Sequence, residues 1–297
     1  MAIFFPGFEN IGRLTVPPTE GESQLLSIIG KEFDDSHEVY FNPYLDGDRP
    51  DVIVLKPGCG ALVIEVKDWR LSHYRVGANN QWRYQDTVIR SPQQQVFRYK
   101  DNLFNLHLPI LGLQHLRNRF FYGLISVGVY FHRATKNELN HLYGVPLNEM
   151  RERILQLNQD RLNVSQERYD KEMDWLERQR FKLNRDLGIS WGVDSIVKRL
   201  RAFGKIKRNP LFTADIYEDF KRRLRPPLHV RQQGVAVTFD AKQHALTVSH
   251  PGFAKVKGVA GCGKTTILAQ RAINSHKRHA GQILILTYNI TLRYLST

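Results

Sequence analysis

The stretch Pro50-Asp51-Val52-Ile53-Val54-Leu55, the turn Lys56-Pro57-Gly58-Cys59-Gly60 and the run Ala61-Leu62-Val63-Ile64-Glu65-Val66-Lys67 decide the fold class. Glycine and proline interrupt two apolar runs, as a hairpin connection requires. The runs are rich in Val, Ile and Leu, so both are expected to be buried strands. Asp51 opens the first strand, and Glu65 and Lys67 end the second. Glu65 and Lys67 are two residues apart and project from one face of a strand. A hairpin brings Asp51 beside them. Two carboxylates can hold a hard cation such as Mg²⁺, and a neighbouring lysine can meet a phosphate. Metal-dependent phosphodiester cleavage is the chemistry such a group suits.

Around this hairpin the chain adds further candidates. Val16-Pro17-Pro18-Thr19 is a breaker followed by a helix start. Thr19 can cap the helix with Glu22 at the capping-box position, and Leu25, Leu26, Ile28 and Ile29 give an apolar face. Glu22 is therefore open to two readings, a helix cap or a side chain leaning toward the metal. Residues 1–14 read as an extended arm. Glu38-Val39-Tyr40-Phe41 reads as a strand, and so do Tyr74-Arg75-Val76, Gln81-Trp82-Arg83-Tyr84 and the long run Phe120 to Phe131. Asp46 and Asp48 read as solvated turn residues. Ser91-Pro92 opens a helix in which Gln95 and Tyr99 share a face, able to orient Lys67 or touch a phosphate backbone.

Pro50-Asp51 with Glu65-Val66-Lys67 resembles the PD-(D/E)XK nuclease signature. Thr19-Glu20-Gly21-Glu22, Lys67-Asp68-Trp69, Trp82 and Pro92-Gln93-Gln94-Gln95 narrow the resemblance to the nuclease-related domain (NERD) family, over roughly residues 15 to 135. Gln95-Val96-Phe97-Arg98-Tyr99 is similar to the Q-x-x-x-Y helix of RecB-like nucleases. The resemblance implies a mixed central sheet flanked by helices. It implies Mg²⁺ or Mn²⁺ held by Asp51, Glu65 and the Val66 carbonyl, with Lys67, Gln95 and Glu22 completing the catalytic set.

The chain has 297 residues and 42% hydrophobic composition, enough for about two domains with cores. Net charge is +14 and the pI about 9.8, which suits a polyanionic partner, most simply DNA. Two cysteines, Cys59 and Cys262, give no disulfide framework or cysteine zinc site. No run reaches the ~18 apolar residues of a membrane span. The N-terminus lacks a basic, apolar leader, so a cytoplasmic location is expected.

Residues 136–226 are expected to form a basic helical middle region after a nuclease-like domain over 1–135. Residues 151–225 carry 19 Lys and Arg against 12 Asp and Glu, a local excess of 7. Lys198, Arg199, Arg201, Lys205, Lys207 and Arg208 form a run without an acid. Such a run can track a DNA backbone, or simply be a solvated helix face.

Residues 227–297 carry a second motif. Gly258-Val259-Ala260-Gly261-Cys262-Gly263-Lys264-Thr265-Thr266 fits G-x-x-x-x-G-K-[ST] after a short strand and before a helix expected to reach about His276. The glycines let backbone N–H groups wrap phosphates, Lys264 reaches the β and γ phosphates, and Thr265 offers its hydroxyl to Mg²⁺. With Gln243 upstream and Ile283 to Asn289 downstream, this resembles the start of a superfamily 1 (UvrD/Rep-like) helicase motor. The resemblance implies ATP, with Gln243 reading adenine, and a partial RecA-like lobe. No Walker B aspartate or second lobe follows before Thr297, so unwinding by this chain alone is not expected. A longer protein, a natural short form, or a partner chain (a helicase or a second copy) covering the open sheet edge would each account for it. Roles in DNA repair or antiviral defence follow from the fused architecture by analogy only. Two other readings stand beside the nuclease: a module that grips DNA without cutting it, and a nucleotide-gated regulator.

Overall fold

The computed structural model describes residues 1–14, 16–45, 47–225, 239–248, 250, 252, 255–256, 263–279 and 283–284. The chain divides into two compact units, Met1–Leu224 and Arg225–Thr297.

In the first unit the hairpin forms as the apolar runs require. Strand β3 (Val52–Lys56) pairs antiparallel with β4 (Gly60–Lys67), Ile53 opposite Val63 and Val52 opposite Ile64. On the other side of β3 lies antiparallel β2 (Glu38–Phe41), and parallel to β2 lies β1 (Ile3–Phe5). Beyond β4 come two strands parallel to it, β8 (Ile125–Phe131) and β9 (Ser190–Gly192). The six-stranded sheet thus runs β1-β2-β3-β4-β8-β9. A second sheet of three antiparallel strands joins β5 (Tyr74–Val76), β6 (Trp82–Tyr84) and β7 (Thr87–Ile89).

Both faces of the large sheet are covered, which is why its central strands are apolar throughout. Val52, Val54, Leu62, Ile64 and Val66 pack with Leu25, Leu26 and Ile29 of helix α2 (Glu20–Glu32) and Leu200 and Phe203 of α7 (Ile196–Gly204). Ile53, Leu55, Ala61, Val63, Val127 and Phe131 face the opposite core. That core also holds Val96 and Tyr99 of α3 (Pro92–Asn102), Leu111 of α4 (Pro109–Arg117), and Leu139, Tyr143 and Met150 of α5 (Lys136–Gln159). Leu176 and Leu183 of α6 (Gln166–Gly188) and Ile216 and Phe220 of α8 (Ala214–Leu224) complete it.

Several expectations are corrected. The N-terminal segment is not a free arm: β1 extends the sheet, and a short helix, α1 (Phe8–Ile11), follows it. Phe120–Leu124 belongs to a 3-10 turn (Arg119–Leu124), and β8 begins only at Ile125. Residues 136–224 are helical as expected but do not stand apart from the preceding domain. Their strand β9 closes the sheet, and Trp191 lies over Gly128 of β8, where an added Cβ would come within 2.0 Å of the indole.

In the second unit the described residues form two helices, α9 (Ala241–Thr247) and α10 (Lys264–His279), and no strand. Asp240 and Gln243 make a capping box on α9, and Asn274 Nδ2 donates to the Thr247 carbonyl at 3.2 Å. Of the expected motif, Gly258 to Cys262 lie outside the described residues, as does most of the expected strand at 283–289. Among the described residues no helix is long and apolar enough to cross a membrane.

Candidate active site

The strand period places the site. Side chains alternate, so Glu65 and Lys67 continue the face of Ala61 and Val63, and Asp51 continues that of Ile53 and Leu55. All three therefore emerge on the α3 side, at the C-terminal end of β4. The Val66 amide donates to Asp51 Oδ2 at 2.6 Å, which fixes Asp51 against the end of the neighbouring strand. Lys67 Nζ donates to Glu65 Oε1 at 2.6 Å and to Gln95 Oε1 at 3.3 Å. Gln95 in turn donates from Nε2 to the Tyr99 hydroxyl at 2.8 Å, and Tyr99 donates to the Arg49 carbonyl at 3.2 Å. This relay runs from the segment before β3 through one turn of α3 to the lysine. Ser91 caps α3 by accepting from the Gln94 amide at 3.3 Å, with Pro92 in the first turn, and so sets its angle.

Glu22 takes the first of its two readings, the helix cap. It caps α2, its Oε2 accepting from the Thr19 amide at 2.6 Å. It is also buried, and its charge helps raise the pKa of both Asp51 and Glu65. Gly21 makes the approach possible. A Cβ there would come within 2.9 Å of Val66 Cγ1 and 3.0 Å of His132 Cβ, so α2 can rest on the end of β4 only with glycine at this position.

Burial dominates the electrostatics. It pushes the Asp51 carboxyl up to about 8, with the Glu65 charge as the next contribution, against the pull of the Val66 amide. Burial raises Glu65 as well, opposed by Lys67. Glu65 is 2% exposed, and its Oε2 has no hydrogen-bond partner. A buried carboxylate oxygen without a donor is costly unless a cation meets it. Among the described residues no three His, Cys, Asp or Glu side chains form a metal cage. Two carboxylates, one with a vacant buried oxygen, still fit the site habit of Mg²⁺, which binds one or two carboxylates and keeps waters and substrate oxygens for the rest of its shell.

The basic run at 198–208 is not brought to this place. Arg201 is spent on Glu32 at 2.7 and 3.0 Å. Lys56 Nζ donates to the Gly204 and Ile206 carbonyls, and the Arg208 side chain lies 3.9 Å from a Cβ built on Gly58. The segment 204–208 thus sits at the hairpin turn, at the opposite end of β4 from Glu65, five residues or roughly 17 Å along the strand. Lys205, Lys207 and Arg208 are exposed there, whereas Lys198 and Arg199 are exposed on the first turn of α7, which follows β9.

One residue was misjudged from sequence and another was passed over. Asp48 is buried, not a solvated turn residue: Asn102 donates to it at 2.6 Å and His107 Nε2 lies 3.2 Å away. Asp46 lies outside the described residues. Arg98, one turn beyond Gln95, lowers the Glu65 pKa and sits 3.7 Å from Asp48. Its place three residues after Gln95 on a helix was the available signal.

The family model of the nuclease-related domain matches residues 18–127 of this chain. No curated protein matches it and no solved structure does. The matched span holds Glu22, Asp51, Glu65, Lys67 and Gln95.

Proposed function

We propose that this chain is a metal-dependent deoxyribonuclease, with Asp51 and Glu65 holding Mg²⁺ or Mn²⁺ and the Val66 carbonyl as a third donor. The observation that carries the reading is the pair of buried carboxylates at one strand end, Glu65 Oε2 lacking any hydrogen-bond donor, with Lys67 beside them. The bound cation supplies Lewis-acid activation of the scissile phosphate and of a water at neutral pH. Lys67 meets the charge that develops on the phosphate oxygens, where a preorganised cation in a dry site is most effective. Gln95 holds Lys67 in place and is itself held by Tyr99. Glu22 keeps the local potential negative, which favours a divalent cation over a free lysine.

The test is cleavage of linear and circular DNA with Mg²⁺, Mn²⁺ or EDTA, comparing wild type with Glu65→Ala and Lys67→Ala. Metal-dependent cutting lost in both variants supports the nuclease. DNA binding without cutting under any metal overturns it and leaves a gripping module, or one that works with a separate helicase partner.

A second reading concerns the second unit, as a nucleotide-binding element of helicase type. Gly263 has φ +82° immediately before α10, and a Cβ built there would lie 3.6 Å from Gln243 Nε2. The glutamine and the glycine-lysine step that resemble the two nucleotide motifs are thus neighbours. In this reading Gly258, Gly261, Gly263, Lys264, Thr265 and Thr266 cradle the phosphates of ATP and Gln243 reads the base. Binding of a fluorescent ATP analogue, lost in Lys264→Ala, is the expected result, and equal binding by that variant sinks it. Roles in repair or antiviral defence rest on this fused architecture alone.

A further inference from the structure

The small sheet of β5, β6 and β7 has one face that the site does not use. Its inner face is apolar: Val76 and Trp82 are buried, and Trp82 stacks on Phe131 with ring centroids 6.0 Å apart and planes 2° from parallel. Phe131 is the register partner of Lys67. Trp69, two residues past Lys67, stacks on Tyr74 at 4.4 Å, and Lys67 Nζ lies 5.6 Å from the Trp69 ring centroid. At the far tip, Asn80 Nδ2 donates to the buried Asp186 of α6 at 2.6 Å. The sheet is therefore fixed beside the catalytic lysine at both ends.

Its outer face is different. Arg75 of β5 and Arg83 of β6 are exposed and stand directly opposite each other in the register. Arg90 follows on the same side of β7 by alternation, and Arg70 precedes the sheet; both are exposed. Residues 69–90 carry four arginines and a single acid, Asp86. Among the described residues no carboxylate pairs with any of the four. Like charges facing across an antiparallel pair are destabilising. A fold that keeps two arginines opposed, unpaired and in water beside a phosphate-handling lysine is preorganised for a polyanion.

We infer that the outer face of β5–β7 binds the sugar-phosphate backbone of a DNA strand and leads it to the Lys67 end of β4, with Arg75 and Arg83 as the main contacts and Arg70 and Arg90 flanking them. This rests on the nuclease reading for the direction of the strand, but not for binding itself. The guanidinium fork suits phosphate oxygens, and each phosphate neutralised releases counterions. The 204–208 end of the basic run lies at the other end of β4, and Arg201 is paired with Glu32.

The experiment is fluorescence anisotropy of a labelled 20-nucleotide DNA, single-stranded and duplex, titrated with the full chain in EDTA between 50 and 300 mM KCl. The slope of log Kobs on log [salt] is expected to become shallower in Arg75→Ala/Arg83→Ala by about 1.4 for single strands or about 1.8 for duplex. A change below one unit on both substrates overturns the proposal. Melting temperature checks the fold, and Arg75→Gln/Arg83→Gln, which keeps side-chain length, repeats the measurement if the alanine pair does not fold. Because EDTA stops metal-dependent cleavage, the slope reads the surface alone. Cutting by Glu65→Ala in Mg²⁺ reads the nuclease separately, so either idea can fall while the other stands.

Discussion

Lys67 Nζ donates to Glu65 Oε1 at 2.6 Å and is held from its other side by Gln95 Oε1 at 3.3 Å. Without Lys67 the buried Glu65 carboxylate loses the one cation that hydrogen-bonds to it among the described residues. Removing a preorganised donor of this kind costs on the order of 10²–10³ in kcat. Lys67→Ala is expected to lose at least about 10²-fold in DNA cleavage. Lys67→Arg, which keeps the charge but not the compact geometry, should recover only part of it. Initial rates on a linear substrate check this.

Gln95 accepts from Lys67 Nζ at 3.3 Å. Gln95→Ala is therefore expected to act on kcat through the lysine, with KM for DNA changed less than about twofold. Tyr99→Phe, which removes the hydroxyl that accepts from Gln95, should shift kcat in the same direction by a smaller factor. A rise in KM with kcat unchanged in Gln95→Ala would instead make Gln95 a direct DNA contact.

Asp51 gives a pH-dependent prediction. Its carboxyl titrates near 3.8 when exposed and about 8 in the fold. Between those values the folded chain holds a proton that the unfolded chain has lost. Stability in EDTA therefore falls as pH rises from about 4 to about 8, and the penalty is complete above that. Asp51→Asn removes it. The variant is expected to melt several degrees above wild type at pH 8.5, at about 2–4 °C per kcal/mol, and to differ little near pH 4. A lower melting temperature than wild type at pH 8.5 contradicts the burial of a strained carboxylate.

How much of this was legible in sequence depended on element length. The hairpin, the Glu65–Lys67 spacing and the Gln95–Tyr99 pair are local facts of period 2 and period 3.6, and they appear as read. The strands β1, β7 and β9 have three residues each, too few to show any period, whereas the equally short β5 and β6 were legible from the Gly77-Ala78-Asn79-Asn80 turn between them. Phe120–Leu124 is aromatic and apolar enough to pass for strand, yet it folds as a 3-10 turn, a state composition does not distinguish. Asp48 looked like turn chemistry because its partners, Asn102 and His107, lie more than fifty residues away. The arginine face of β5–β7 was hidden for a similar reason. Arg75 and Arg83 are eight residues apart in sequence and become opposed only when the strands pair.

Metal binding should carry the same proton. Below about pH 8 a cation entering the site must displace the proton held on the buried Asp51, so apparent Mn²⁺ affinity is expected to rise up to about tenfold per pH unit from pH 6 toward 8, then level off. Calorimetric titration in two buffers of different ionisation heat would show close to one proton released at pH 7. Asp51→Asn should weaken binding and flatten this pH dependence. Affinity that stays constant from pH 6 to 8 in the wild type would mean that the cation does not bind between these two carboxylates.

Gly21 tests whether the contact of α2 with β4 shapes the site. In Gly21→Ala the new methyl meets Val66 Cγ1 at 2.9 Å and His132 Cβ at 3.0 Å, and the Asp68 carboxylate closer still. Asp68 can rotate away, but the other two atoms sit on or next to the strand backbone. The helix start must therefore lift from the end of β4, an overpacking cost of typically 1–3 kcal/mol. Glu22, the next residue, moves with it. The expected result is a lower melting temperature together with weaker Mn²⁺ binding, because the glutamate that adds negative potential around Asp51 and Glu65 is displaced. A melting temperature lowered with Mn²⁺ affinity intact would separate the two roles and leave Glu22 as a helix cap alone.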